Sequence, residues 1–424
     1  MKKIIFNNQH GERSAFHWKW SAFLFISAIS LFLFSSCEDG EEEAVRYTVN
    51  VTVQYPEGYP NGSASDIEVK ATNSQTGTAV SAKTNTDGVA QFSLVSGIYS
   101  FSVAHETEEF ALNGLLENTT IAEDKSLTIT LHASSLAGGL VFKEIYYSGS
   151  PVEGSFSSSY FHDSFTEIYN NSDEVIYLDN IGFGALDPAA SNSASPWVDE
   201  NGNLQDRLPL YGYTFYFKGS GTDHPLAPRT SIVIAMDGID HQTDPAGNPL
   251  SPVNLANADW ELYVGHINNG RDADAPGVPN MEILHTTSTS LVDALYSVFG
   301  PAKVIFRFPE NIDPAVFASD ETNLSTKPGT SSQVQYLRIP KEYVIDAVEC
   351  MNHDPNRRNK RVPSDLDAGY TFISAGTYSG KSIRRKVNQI IDGKVIYKDT
   401  NNSTEDFLQD QTPTPFVHPT TVDQ

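Results

Sequence analysis

Residues 47–55 read Tyr47-Thr48-Val49-Asn50-Val51-Thr52-Val53-Gln54-Tyr55, an unbroken alternation of apolar and polar side chains. Successive side chains of an extended chain point to opposite faces, so this pattern puts Tyr47, Val49, Val51, Val53 and Tyr55 on one side of a half-buried strand. β-branched and aromatic residues at those positions suit a pleated surface. The same period returns at Ile67-Val69-Ala71, Ala90-Phe92-Leu94, Tyr99-Phe101-Val103 and Leu127-Ile129-Leu131, and the turn formers Pro60-Asn61-Gly62, Asp87-Gly88 and Ser96-Gly97 punctuate it. Residues 45–132 are therefore expected to form a small β-sandwich.

Working toward the C-terminus, the small residues of Ala133–Gly139 read as a hinge, and Leu140-Val141-Phe142-Lys143-Glu144-Ile145-Tyr146-Tyr147 opens a second β unit over 140–418. Phe165–Asn170, Val175–Asp179 and Tyr343–Glu349 continue it. The long middle, 185–330, is expected as an insertion with strands near Tyr213–Phe217, Ser231–Met236, Trp260–Val264 and Lys303–Phe308. A short helix starts there at Pro314 with Asp313 as its cap. Residues 419–424 are left as a tail. The fold class is all-β, a small sandwich followed by an elaborated one.

Toward the N-terminus the chain changes character. Lys2, Lys3, Arg13 and Lys19 precede an uncharged apolar run from Trp20 to Phe34 that ends at Ser35-Ser36-Cys37. A basic start, an apolar stretch and small residues at a cleavage point read as a secretory signal over residues 1–36. The run is about fifteen residues, short of the roughly twenty a helix needs to cross a hydrocarbon core. The chain carries 28 Lys and Arg against 53 Asp and Glu, a formal charge of −25. Loss of the four basic residues and Glu12 in 1–36 takes it to −28. Such a surface repels nucleic acid and anionic headgroups, and leaves divalent cations or cationic partners compatible in charge. With Cys37 modified, Cys350 has no partner, so the fold is expected to hold without disulfides, and Cys350 reads as a buried structural thiol in an alternating strand.

Several stretches resemble known families. Ser35-Ser36-Cys37 resembles a bacterial lipobox, with Phe34 where that pattern prefers Leu, Val or Ile, and the resemblance implies acylation of Cys37. Several acyl chains would anchor it stably. The linker 37–44, with Glu38-Asp39-Gly40-Glu41-Glu42-Glu43, resembles the export signal of surface lipoproteins in Bacteroidota, which implies an outer-membrane location facing the exterior. Thr86-Asp87-Gly88-Val89-Ala90-Gln91-Phe92 followed by Gly97-Ile98-Tyr99-Ser100-Phe101-Ser102-Val103 resembles carboxypeptidase regulatory-like, or prealbumin-like, modules. The strands at 140–147, 165–172 and 175–179, with Gly380–Lys386 and Asp399–Phe407 near the end, resemble a lamin-tail domain, an immunoglobulin-like sandwich. Together they resemble uncharacterised Bacteroidota lipoproteins built in this order, a family with no activity to carry over.

The chain contains no Gly-x-Ser-x-Gly, His-Glu-x-x-His, phosphate loop or dinucleotide fingerprint, which removes the enzyme classes most visible in sequence. Asp199–Asn203 imitates the start of a calcium loop, yet Leu204 replaces the required glycine. Within Asp237-Gly238-Ile239-Asp240-His241-Gln242-Thr243-Asp244, the carboxylates of Asp237, Asp240 and Asp244 and the imidazole of His241 could converge on a hard or borderline divalent cation. Solvated Asp-Gly and Asp-Pro turns are the favoured reading of the same stretch. His224, His266 and His285 share the middle without ligand spacing. Trp197, Tyr211 and Trp260 are candidates for an aromatic binding platform, because flat rings bury much area at small entropic cost. Tyr213-Phe215-Phe217 reads instead as the core face of a strand. Arg357-Arg358-Asn359-Lys360-Arg361 reads as a loop that pairs internally with Asp354, Asp365 or Asp367.

These readings add up to a non-catalytic surface binding or accessory lipoprotein with no implied cofactor, a divalent cation being left open, and no nucleic-acid partner. The Bacteroidota resemblance implies a TonB-dependent receptor as partner. A metal-dependent hydrolase using Asp237–Asp244 and a purely structural or adhesive envelope protein are the competing expectations.

Overall fold

The computed structural model describes residues 44–424 apart from 60, 61, 108, 137, 155–158, 268, 269, 271, 289–292 and 424. Cys37 and the expected signal lie outside the described residues.

The first sandwich follows from the alternation. Arg46–Gln54 turns Val49, Val51 and Val53 inward and pairs antiparallel with Val89–Val95 and parallel with Lys125–Thr130. The facing sheet runs Ala79–Lys83, Glu68–Asn73, Gly97–Glu106, Phe110–Ile121 and His132–Ser135 in spatial order. Val69, Ala71, Phe92, Leu94, Phe101 and Val103 meet between the sheets. At the Asp87-Gly88 turn, Asn85 Oδ1 accepts from the amides of Asp87 and Val89 at 2.9 and 3.0 Å. Gly88 sits at φ +78°, the left-handed region that favours glycine.

The second sandwich packs two larger sheets. One runs Trp260–Glu261, Ser231–Ala235, Phe165–Asn170, Leu140–Tyr146, Ser382–Arg385 and Phe407–Gln411. The other runs Leu324–Thr326, Gln335–Pro340, Arg207–Tyr216, Ile181–Leu186, Ala302–Arg307, Val344–Met351 and Thr371–Phe372, with Glu282–Thr286 also paired to Arg207–Tyr216. Phe142, Ile145, Ile168, Phe183, Phe215, Ile305, Val348 and Cys350 form the core between them. Burial also pushes the Cys350 thiol pKa well up, which makes it an inert core group. The helix starts where expected: Pro314–Ser319 is capped by Asp313, whose side chain accepts from the Val316 amide at 3.0 Å. Its Ala318 and Phe317 pack with Leu208, Phe306 and Phe308 against the outer face of the larger sheet.

Three expectations about organisation change. Residues 185–330 are not an insertion into a finished sandwich, because Arg207–Tyr216, Ser231–Ala235 and Ala302–Arg307 are hydrogen-bonded on both edges inside its two sheets. The tail is tied in: Asp423 takes both Arg384 guanidinium nitrogens at 2.9 and 3.0 Å and the Val387 amide at 2.8 Å. The hinge is shorter than 133–139, since Ala133 pairs with Leu112 and Gly139 O accepts from the Asn171 amide at 2.7 Å. The basic run pairs internally, as expected, though mostly with other partners. Arg357 reaches Asp354 at 3.5 Å, Arg361 meets Glu349 at 2.7 Å, and Lys360 donates to the carbonyls of Asp367 and Gly369.

Candidate cation centre

Four acidic or basic side chains from separate loops meet at one end of the six-stranded sheet. Phe165 pairs with Ala235, so the residues just before Phe165 lie beside those just after Ala235; the Met236 amide donates to Ser164 O at 2.9 Å across that end. The register brings His162 to Asp237. Ala235 is also beside Glu261 in a parallel pair, and the chain beyond it returns so that the Val264 amide donates to Asp272 Oδ2 at 2.6 Å. Asp293 completes the group: its Oδ2 lies 2.5 Å from His162 Nδ1, while Asp237 Oδ2 lies 3.7 Å from the same nitrogen. One ligand atom each from His162, Asp237 and Asp293 lies within 4.8 Å of the others.

The surroundings fix these groups. Glu261, 1 % exposed, accepts from the Gly238 amide at 2.9 Å and the Ala275 amide at 3.0 Å, clamping the loops that carry Asp237 and Asp272. His241 holds the backbone from the other side. Its Nε2 lies 3.0 Å from Asp237 O, a carbonyl that can only accept, so Nε2 carries the proton and Nδ1 accepts from Tyr160 OH at 2.7 Å. Burial lowers the His241 pKa to about 4, leaving the ring neutral.

Charge in this pocket is one-sided. Burial, then the nearby Asp293 charge, pushes Asp237 up to about 8, and burial pushes Asp272 up to about 7. The hydrogen bond to Asp293 raises His162. Three clustered carboxylates facing one imidazole lack compensating positive charge, and protons supply it when no cation does. An imidazole with carboxylates is a donor set for a borderline divalent ion.

Of the four metal candidates read from sequence, only Asp237 belongs to this centre. Asp240 accepts from Thr243 Oγ1 and the Gln242 amide at 2.8 and 3.1 Å, and Asp244 accepts from the Ala246 amide at 2.8 Å, so both shape their own turns. His241 has both nitrogens engaged. His224, His266 and His285 point elsewhere: His224 packs edge-on against Trp260, His266 lies near Tyr263, and His285 bonds Gln335 O. His162, Asp272 and Asp293 were not visible in sequence, because they lie on loops far apart in the chain and only the sheet register gathers them.

The aromatic platform is not assembled. Trp197 is 2 % exposed, donates Nε1–H to Asp187 Oδ2 at 2.8 Å and lies under the Arg338 guanidinium. Trp260 packs on Phe217, just past the end of Arg207–Tyr216, and Tyr211 is half-buried in that strand.

The family described as "Protein of unknown function (DUF4876)" matches residues 227–414. A crystal structure of a DUF4876 family protein from Bacteroides thetaiotaomicron is 31 % identical, covering 89 % of this chain and 98 % of that one, with a TM-score of 0.58. A DUF3823 family protein from Parabacteroides merdae is 9 % identical over 46 % of this chain and 83 % of that one, and its TM-score is 0.17. The Bacillus anthracis TIE protein is 13 % identical over 45 % of this chain and 28 % of that one, with a TM-score of 0.18. No curated protein matches. With this identity to the Bacteroides thetaiotaomicron protein over nearly the full length of both chains, the chain belongs to the DUF4876 family.

Proposed function

We propose that this chain is an exported, lipid-anchored binding or accessory protein of the outer membrane that acts without catalysis. In this reading Cys37 carries the anchor, the first sandwich spaces the second from the membrane, and the lamin-tail-like second sandwich presents the binding end. One observation favours it over the hydrolase. Within Asp237–Asp244, the segment the hydrolase reading uses, His241 is buried, neutral and bonded at both nitrogens, and Asp240 and Asp244 brace turns. That segment holds a shape. A general base needs a free lone pair within reach of substrate.

The expected partner is a TonB-dependent receptor, by analogy with surface lipoproteins of this bacterial group. A strongly acidic chain docks best on a neutral or cationic face, with rim contacts that weaken as salt rises. The test is affinity purification of the lipid-anchored chain from outer membranes at low and moderate salt, with Cys37→Ala as the released control. Recovery of a β-barrel receptor supports the reading. Its absence at both salts, or turnover of a glycan, peptide or phosphoester panel by the purified chain, overturns it.

A further inference from the structure

We propose that His162, Asp237 and Asp293 bind one divalent transition ion of the zinc or manganese kind, which deepens the binding reading above by naming a ligand for its candidate site. The three donor atoms already lie within 4.8 Å of one another. Bonds of about 2.0–2.2 Å, usual for zinc with imidazole and carboxylate donors, close such a group with small side-chain movements. The Asp293 side chain is 5 % exposed, and its Oδ2, closed to solvent, lies 2.5 Å from His162 Nδ1 in a contact whose angles do not make a good hydrogen bond, with no other donor among the described residues. Asp237 Oδ1 is likewise closed off, with no donor among the described residues. Buried carboxylate oxygens without donors are costly, and a cation between them removes that cost.

The site is also built. Glu261 and His241 hold the N–H and the C=O of the peptide that joins Asp237 to Gly238, the outer-layer support that orients metal ligands. The His162 side chain, 33 % exposed, leaves a path from solvent. A nitrogen with two carboxylates suits a transition ion, whereas calcium gathers six to eight oxygens. Three protein donors leave coordination positions for water or for a donor atom of an incoming ligand.

The test strips the full chain, purified in detergent, with a chelator and titrates it separately with Zn2+, Mn2+ and Ca2+ by calorimetry, counting bound metal by elemental analysis. One equivalent of Zn2+ or Mn2+ is expected, with affinity falling about tenfold or more in Asp293→Asn and in His162→Ala. His162 is partly exposed, so His162→Ala keeps the readout if Asp293→Asn fails to fold. Asp240→Asn, which touches only its own turn, keeps wild-type binding. Absence of saturable binding, equal binding in His162→Ala and wild type, an equal loss in Asp240→Asn, or tighter Ca2+ than Zn2+ binding overturns the assignment. Substrate turnover by the metal-loaded chain would instead overturn the non-catalytic reading and leave this site standing.

Discussion

In the first sandwich Glu68–Asn73 and Val89–Val95 alternate buried and open side chains, whereas in the second Leu140–Tyr146, Phe165–Asn170 and Ile181–Leu186 are buried at every residue. The cause is layering. The first sandwich has two sheets with water on their outer faces. In the second, the outer side of the six-stranded sheet is covered by Val253, Leu255 and Ala258 at one end and by Val387, Val395 and Tyr397 at the other. Polar residues on that outer side cannot reach water and must pair. Lys143 meets Glu167 at 2.7 Å with both side chains fully buried. An alternating strand thus marks a half-covered sheet, and extra layers turn the same polar face into an ion-paired interior.

The contrast is broken most directly at Arg361. Its guanidinium holds Glu349 through Nε and Nη2 at 3.0 and 2.7 Å, both side chains being fully buried. Arg361→Ala leaves that carboxylate unpaired in the interior and should cost about 3–5 kcal/mol. Urea unfolding followed in the second sandwich measures it. A loss below about 1 kcal/mol would mean that water reaches the pair and that the second interior is no drier than the first.

Lys303 sharpens the same contrast through pH. Its ammonium nitrogen donates to Thr166 Oγ1 at 2.7 Å and lies 3.7 Å from the centre of the Tyr296 ring. Burial lowers its pKa from 10.5 to about 7. Between those values the unfolded chain holds a proton that the folded chain does not, so stability rises with pH across that window and levels off below it. The slope is up to about 1.4 kcal/mol per pH unit. Relative to Lys303→Met, the wild type should gain about 2 kcal/mol from pH 7 to pH 9 in matched denaturant titrations. Parallel profiles would show that Lys303 keeps its proton in the fold.

Legibility followed the layering. Val49, Val51, Phe92 and Phe101 were assigned to a core from period two alone, because one face of their strands meets water. The helix at Pro314–Ser319 was equally plain, since a capping carboxylate before proline is a local signal. Lys143 and Glu167 read as surface by that logic, and only the covering layer over the six-stranded sheet buries them; Lys303 is buried between the two sheets, where it reaches Thr166. The candidate site was half readable: Asp237 follows an apolar strand and drew attention, but Asp240, His241 and Asp244 looked like ligands because turn-forming and metal-binding residues are the same types. His162, Asp272 and Asp293 needed the pairing of Phe165 with Ala235, which no local pattern states.

The smallest predicted effect lies where the two regions join. Asn113, 3 % exposed in the first sandwich, donates Nδ2–H to Thr400 O at 2.5 Å and accepts at Oδ1 from Asn402 Nδ2 at 3.3 Å. Lys398 reaches Glu106 at 2.8 Å beside it. The connection itself is short, pinned by Ala133 against Leu112 on one side and by Gly139 against Asn171 on the other. A polar seam of this kind holds through satisfied hydrogen bonds, and each is worth about 1 kcal/mol net. Asn113→Ala removes both bonds and leaves a buried carbonyl and amide without their partner, so opening of the junction should become about 1–2 kcal/mol easier while each sandwich keeps its own core. Since about 1.4 kcal/mol is a factor of ten in an equilibrium, limited proteolysis between Leu136 and Gly139 should quicken roughly tenfold, with the melting of the second sandwich unchanged. Cleavage at the wild-type rate would assign the seam to the Lys398–Glu106 pair, and simultaneous loss of both sandwiches would mean that the two regions, however differently built, unfold as one.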